Sequence, residues 1–175
     1  RDTTVQAVSE AFGNMQPGRA YFAQREVRGV VDDTRMPSVS DHRLSQFKFE
    51  PENGPAIRLL HFTCHPEALG SQNTLVSSDY VGEMVRHIRK LSGDDSLFIN
   101  GAIGGMQSDL PHYDLEGNPL SKEDTTAVIG KILANAALRM DSWRELAPNL
   151  TYRKIRALLP VDNSLYLTAA DMGIV

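Results

Sequence analysis

His61 and His65 stand four residues apart, a spacing that on a helix would set two imidazoles on one face as paired metal ligands. The segment that carries them, Ile57-Arg58-Leu59-Leu60-His61-Phe62-Thr63-Cys64, reads instead as a strand, along which four residues span roughly 13 Å at ~3.3 Å each. The two rings cannot then share one ion, and His61 is expected to be a partly buried strand histidine. His65 differs because Pro66 follows it and cannot donate to a ladder, which puts the ring at a strand end. From there an imidazole can be aimed into a cleft as a zinc ligand or a general base. Cys64 is the chain's one cysteine. On a strand it points away from its neighbour His65, so a cysteine–histidine nucleophile is not expected, and no HExxH or Gly-x-Ser-x-Gly pattern is present.

Gly101-Ala102-Ile103-Gly104-Gly105 follows an apolar run, where glycines permit the close backbone approach and positive φ of a phosphate-cradling loop. Such a loop needs a helix that starts directly after it. Asp109-Leu110-Pro111 argues against one, and no Gly-Lys-Ser or Gly-Lys-Thr is found. What is left is a tight turn whose amides can serve as an oxyanion pocket. Arg86-His87-Ile88-Arg89-Lys90 is read as a solvated helix face near its C-terminus, where cations complement the dipole. Glu67, Asp79 and Asp109 are loop or cap carboxylates.

The elements that must position these groups emerge from hydrophobic period and stop signals. Val5, Val8, Ala11, Phe12 and Met15 recur at helical spacing before Asn14, Pro17 and Gly18, predicting an amphipathic helix over residues 3–15. Residues 20–31 read as a strand running into a polar loop, and residues 44–50 and 56–64, joined by Pro51-Glu52-Asn53-Gly54-Pro55, as an antiparallel hairpin. The second strand of the hairpin is apolar on both faces, as expected of a central strand covered on both sides. Strand ends of this kind are where α/β sheets build sites. Asp79 can cap a helix with the stripe Tyr80, Val81, Met84, Val85, Ile88 and Leu91, closed by Ser92-Gly93. Residues 96–100 form a short strand, and Ser121 with Asp124 opens a helix whose buried stripe is Val128, Ile132, Leu133 and Ala136. Residues 151–159 alternate Ile155, Ala157 and Leu159 against Lys154 and Arg156, predicting an edge strand with one wet face. The fold class is α/β, with a mixed sheet, helices packed on its faces and an antiparallel hairpin.

Composition narrows the classes. The chain has 175 residues, 41% hydrophobic and 23% charged, enough to bury a core in one domain. Eighteen Lys and Arg against twenty-two Asp and Glu give a formal charge of −4, which argues against a nucleic-acid partner. No apolar run approaches the roughly 20 residues needed to span a bilayer. A start at Arg1 and an apolar end at Gly173-Ile174-Val175 are what a processed piece or an excised fragment would show.

Residues 59–106 resemble the N-terminal catalytic domain of neutral/alkaline non-lysosomal ceramidases. The resemblance is carried by the strand ending in His65-Pro66; by Asn73-Thr74-Leu75-Val76-Ser77-Ser78-Asp79-Tyr80-Val81-Gly82, which fits the family's Asn-x-Leu-Ile-Ser-x-Asp-x-x-Gly; and by Phe98-Ile99-Asn100-Gly101-Ala102-Ile103-Gly104. It implies a zinc-dependent amide hydrolase that splits ceramide, a lipid amide, into sphingosine and fatty acid, with His65 as one zinc ligand. A zinc held by an imidazole and other ligands would polarise the carbonyl and bring bound water toward a pKa of ~7. Amides near Gly104 and Gly105 would face the oxyanion, and Asp79, at the acidic position of the second motif, would orient the site or cap the helix. The resemblance further implies a secreted or periplasmic parent, with contact to a membrane surface.

Two departures from the family pattern bear on mechanism. The family's glycine turn continues through an acidic or amide residue to a serine nucleophile. Here Gly105 takes the former place and Gln107 the latter, with Ser108 one position late, so a water nucleophile is favoured over a serine one. The family's Thr-His-x-His segment would precede Arg1 and the later ligands would follow Val175, so this chain is expected to be a fragment that binds zinc poorly by itself. A second reading is a ceramidase-like binding or structural module that has lost catalysis, and a third is a nucleotide-binding α/β domain with phosphate at residues 101–105.

Overall fold

A computed structural model describes residues 2–108, 110–158 and 160–174. The carboxylate expected at Asp109 and Leu159, the expected end of the last strand, lie outside the described residues. The chain runs α1 (Asp2–Gly13), β1 (Gly18–Glu26), β2 (Asp32–Asp33), β3 (Arg43–Pro51), β4 (Ile57–Phe62), α2 (Asp79–Ser92), β5 (Asp95–Asn100), β6 (Met106–Gln107), α3 (Lys122–Leu138), β7 (Arg144–Glu145) and α4 (Ser164–Asp171). Five strands form one sheet in the order β5-β4-β3-β1-β7, and β2 and β6 pair separately. The expected hairpin is β3 with β4, antiparallel, with Phe49 opposite Ile57 and Ser45 opposite His61. β4 has neighbours on both sides, and its other partner, β5, runs parallel to it. The sheet is therefore mixed, and the α/β class is the one observed.

Helices α2 and α3 pack against each other on one face of the sheet. Leu44, Leu60, Phe62, Tyr80, Met84, Ile88, Ile129 and Leu133 are buried there in a single core. The expectation that β4 is covered on both sides is met on one side only among the described residues. Arg58, Leu60 and Phe62 are buried, while on the opposite face Ile57 stays 43% and neighbouring Leu97 61% exposed. Periodicity registers apolar character on both faces but says nothing of what covers them.

Ser121 caps α3 as expected, its hydroxyl accepting from the Asp124 amide at 3.0 Å. The buried stripe of α3 is rotated from the expected one: Thr125, Ile129, Gly130, Leu133, Ala134 and Ala137 are buried, and Val128, Ile132 and Ala136 only half-buried. The cause is close approach to α2. A Cβ on Gly130 would lie 2.8 Å from the Met84 amide nitrogen and 2.9 Å from the Tyr80 carbonyl oxygen. Small residues at 130, 134 and 137 let the helix axes approach there, so the helix turns these inward in preference to its larger apolar side chains.

A buried ion pair ties the start of β4 to the start of β5. Arg58 donates from Nε at 2.7 Å and Nη2 at 2.6 Å to Asp94 Oδ2, and Asp94 Oδ1 accepts the Ala56 amide at 3.2 Å. At the far edge Lys48 lies 4.3 Å from the centre of the Trp143 ring, which packs edge-on to Tyr21.

Two expectations fail outside the core. Residues 151–158 are exposed and form no strand, because alternation alone does not supply a neighbouring strand to pair with. The following helix α4, capped by the Asn163 side chain on the amides of Leu165 and Tyr166, was not expected. Helix α1 forms as its periodicity predicts, yet none of its residues is buried.

Gly130→Ala is expected to destabilise the fold by about 2 kcal/mol, as overpacking does, even though alanine is the better helix former by ~1 kcal/mol. Urea unfolding monitored by Trp143 fluorescence checks this, and an unchanged or raised midpoint would refute the close crossing of α2 and α3.

Candidate functional site

Because β4 and β5 are parallel and in register, with Phe62 opposite Asn100, both chains leave the sheet at the same edge. That edge is where open α/β sheets form crevices. From β4 emerge Thr63, Cys64 and His65, and from β5 the turn at residues 101–105. The two are stitched together by backbone bonds: the Gly101 amide donates to Phe62 O at 3.1 Å and the His65 amide to Met106 O at 2.8 Å. A Cβ at Gly101 would strike Thr63 Oγ1 and the His61 ring, so only glycine lets the turn lie this close.

The His65 ring is half-buried, and its Nε2 lies 3.2 Å from the Gly104 carbonyl oxygen, which also accepts from Arg35 Nη2 at 3.1 Å. The turn therefore presents the Gly104 carbonyl to the imidazole. Gly105 is packed against the segment after β2. Its carbonyl accepts the Thr34 amide at 3.2 Å, and a Cβ there would collide with Asp33 Oδ1 and the Arg35 stem. Asp33 itself accepts the amides of Val39 and Arg35, which hold its carboxyl below its ordinary range.

Ser108 is fully buried. Its hydroxyl donates to His65 O at 2.7 Å and accepts the Glu67 amide at 3.3 Å, so it serves as a clasp on the strand end. Gln107 sits in β6, its backbone opposite Asp32, and it lines a 300 Å³ pocket with Glu67, Gly70 and Ser71.

Asp79 neither contacts His65 nor acts as a simple cap. The N-cap position of α2 is Ser78, which makes no side-chain capping bond. Asp79 takes a left-handed φ of 50°, a conformation that Asp tolerates better than most residues. Its buried carboxylate accepts the amides of Tyr80 (2.7 Å), Leu69 (3.0 Å) and Ala68 (3.2 Å). It thus anchors the loop after His65-Pro66 to the start of α2, and holds the site from behind.

Cys64 is fully buried, and burial pushes its thiol up to about 12, consistent with its exclusion as a nucleophile. His61 is half-buried in the strand as expected. It adds to the lowering of Asp41, whose carboxyl is drawn down to about 2, chiefly by its side-chain hydrogen bond with Arg43. Among the described residues no three His, Cys, Asp or Glu side chains converge as a metal site.

No family model matches the chain. Two solved structures share its architecture. The neutral ceramidase of Pseudomonas aeruginosa superposes with a TM-score of 0.68 at 21% identity, over 79% of this chain and 25% of that one. A ceramidase complexed with C2 gives 0.61 at 21% identity, over 75% and 23%. The chain has a ceramidase-like fold. It spans about a quarter of the length of those structures. Among curated proteins, the glutamine-hydrolyzing GMP synthase of Polynucleobacter asymbioticus is 33% identical over 91 residues, 48% of this chain and 15% of that protein. Within the ceramidase-like fold, the turn at residues 101–105 is followed by β6 and a loop, and the next helix starts at Lys122. That turn therefore lacks the helix N-terminus a phosphate cradle needs.

Sequence reasoning placed His65 and the glycine turn together but missed Arg35, Asp33 and the Glu67–Gln107 pocket. Arg35 reaches Gly104, and Glu67 meets the segment at Gln107 and Ser108, across long stretches of chain, and no local pattern announces them.

Two outcomes test this geometry. Asp79→Ala is expected to cost about 3 kcal/mol, since it strands two buried amides and one part-buried amide, and to speed hydrogen exchange at Ala68 and Leu69; Asp79→Asn, which keeps one acceptor, should lose less. Cys64 is expected to react with a thiol reagent at pH 8 at least about 100-fold more slowly in the native protein than in urea; comparable rates would contradict its burial.

Proposed function

We propose that the chain is part of a lipid-amide hydrolase of the neutral ceramidase type, with His65 at its centre and water as the nucleophile. The observation that carries this reading is the half-buried imidazole at the carboxyl edge of the parallel strand pair, 3.2 Å from the Gly104 carbonyl, within a ceramidase-like fold. The buried Ser108 hydroxyl, occupied on both sides, and the amide side chain of Gln107 favour water over a serine nucleophile.

Zinc is part of the proposal, but the described residues do not complete a site for it. One imidazole whose Nε2 already meets a carbonyl is short of the three or four protein ligands such sites use. On this reading the other ligands come from outside this chain. Among the described residues no helix is long and apolar enough to cross a membrane. The proposed action is on lipid presented at a membrane surface, outside the cytosol.

The test is made on a longer protein that contains this chain. Stoichiometric zinc by metal analysis and hydrolysis of a short-chain ceramide are expected, both lost in His65→Ala, with activity falling by about 100-fold or more. A metal-free protein without hydrolysis would favour the second reading, a ceramidase-like module without catalysis. Full activity in His65→Ala would overturn the assignment of His65.

A further inference from the structure

The free edge of the main sheet has unused pairing capacity. β5 ends the strand order, with β4 as its one strand neighbour among the described residues. Backbone groups alternate in direction along a strand, so half of those in β5 face β4 and half face away. The Asp95 amide donates to Ala56 O at 3.0 Å and the Gly101 amide to Phe62 O at 3.1 Å, which assigns the odd-numbered residues to the β4 side. The amides and carbonyls of Ser96, Phe98 and Asn100 therefore point outward along the edge. Proteins blunt such edges with lysine, proline, a bulge or a covering element. Asp95-Ser96-Leu97-Phe98-Ile99-Asn100 contains neither lysine nor proline, and it pairs with β4 residue for residue, without a bulge. Leu97 and Ile99 stay 61% and 50% exposed. The one charge of the strand, Asp95, lies 3.6 Å from Arg89 and leaves the edge without a strong like-charge barrier.

A second copy of the same strand fits this edge. Two copies related by a two-fold axis run antiparallel there, and outward groups must meet outward groups. In a register centred on Phe98, Ser96 of each copy lies opposite Asn100 of the other and Phe98 lies opposite itself, so every outward amide and carbonyl of β5 is matched. Leu97 then falls opposite Ile99 of the second copy on the same face, an apolar cross-strand pair. Asp95 falls opposite Gly101, so no carboxylates meet. A register centred on Leu97 would set Asn100 against Asp94, which precedes the strand and is held in the buried pair with Arg58.

We infer that β5 is a self-pairing edge, through which two copies of this chain join as an antiparallel, two-fold pair with one continuous sheet. The inference is independent of the hydrolase reading. Edges of six residues bury less than a standard interface, so the contact has an affinity in the micromolar to millimolar range.

Sedimentation equilibrium of the 175-residue chain is expected to show a monomer–dimer equilibrium in that range. Amide hydrogen exchange in dilute and concentrated solution locates the contact. Exchange at Ser96, Phe98 and Asn100 should slow by about tenfold on concentration, while Leu97 and Ile99, whose amides face β4, should change little. Leu97→Lys puts a charge on the exposed face of the edge and is expected to weaken the dimer at least about tenfold. Ser96→Pro removes an amide that only the dimer uses, and is expected to weaken it similarly while the ladder to β4 stays intact. A monomer at all concentrations would overturn the inference. So would association that leaves the three outward amides unprotected or that neither variant weakens, since the contact would then lie on another surface, such as the exposed helices α1 or α4.

Discussion

The parallel pairing of β4 with β5 is the constraint on which the rest of the structure depends. An antiparallel neighbour at that position would send the chain after Phe62 and the chain after Asn100 to opposite edges of the sheet, roughly 20 Å apart for strands of six residues. Parallel pairing requires a crossover, and α2 supplies it, burying Tyr80, Met84 and Ile88 against the sheet on the way. The buried Arg58–Asp94 pair sets the register at the opposite end. Loss of one partner would leave a charge in the core, a larger penalty than any surface ion pair could impose. The position of His65 beside the glycine turn is thus decided at the far end of the strand pair, by residues that take no part in the site.

Beyond the strand ends, hydrogen bonds add to the packing of Cys64, Ala68 and Met106 in the core. Asp79 grips the loop after Pro66 through two amides, and Ser108 joins His65 to Glu67 with one hydroxyl. Polar clasps of this kind fix direction better than apolar contact does, which suits a site that must present an imidazole at one angle. Ser108 also shows how alignment by residue type can mislead. A serine one position from a nucleophile's place is here a buried structural group.

Much of the fold was legible because its signals are local. The hairpin announces itself by Pro51-Glu52-Asn53-Gly54-Pro55 between alternating runs, α3 by Ser121 and Asp124, and the strand end at His65 by Pro66. Less legible was everything set by contact between distant segments. The rotation of α3 depends on how closely Gly130 lets α2 approach. The failure of residues 151–158 to form a strand depends on a partner that alternation cannot promise. Asp79 was expected to orient the site or cap the helix, and two of the amides its carboxylate accepts, those of Ala68 and Leu69, lie upstream of that helix. The glycine turn lies next to His65, and that it brings the Gly104 carbonyl to the imidazole is a matter of φ and ψ that composition does not record.

Gly105 shows how far such long-range contacts alter the functional argument. Taken as a departure from the ceramidase pattern, a glycine in place of an acidic or amide residue speaks for lost catalysis. In the fold the space beside Gly105 is filled by the carboxylate of Asp33 and the stem of Arg35, both arriving from the segment at β2. A side chain at 105 would displace them, and with them the Arg35 bond to the Gly104 carbonyl that faces His65. Glycine is therefore what the packing of this turn demands, and an acidic group occupies the neighbourhood although it belongs to another strand. The glycine is accounted for by the packing around it and is not, by itself, a sign of a decayed site. The other departure is Gln107, which lines a polar pocket with Glu67, Gly70 and Ser71 and, on the proposed reading, bears on which group attacks.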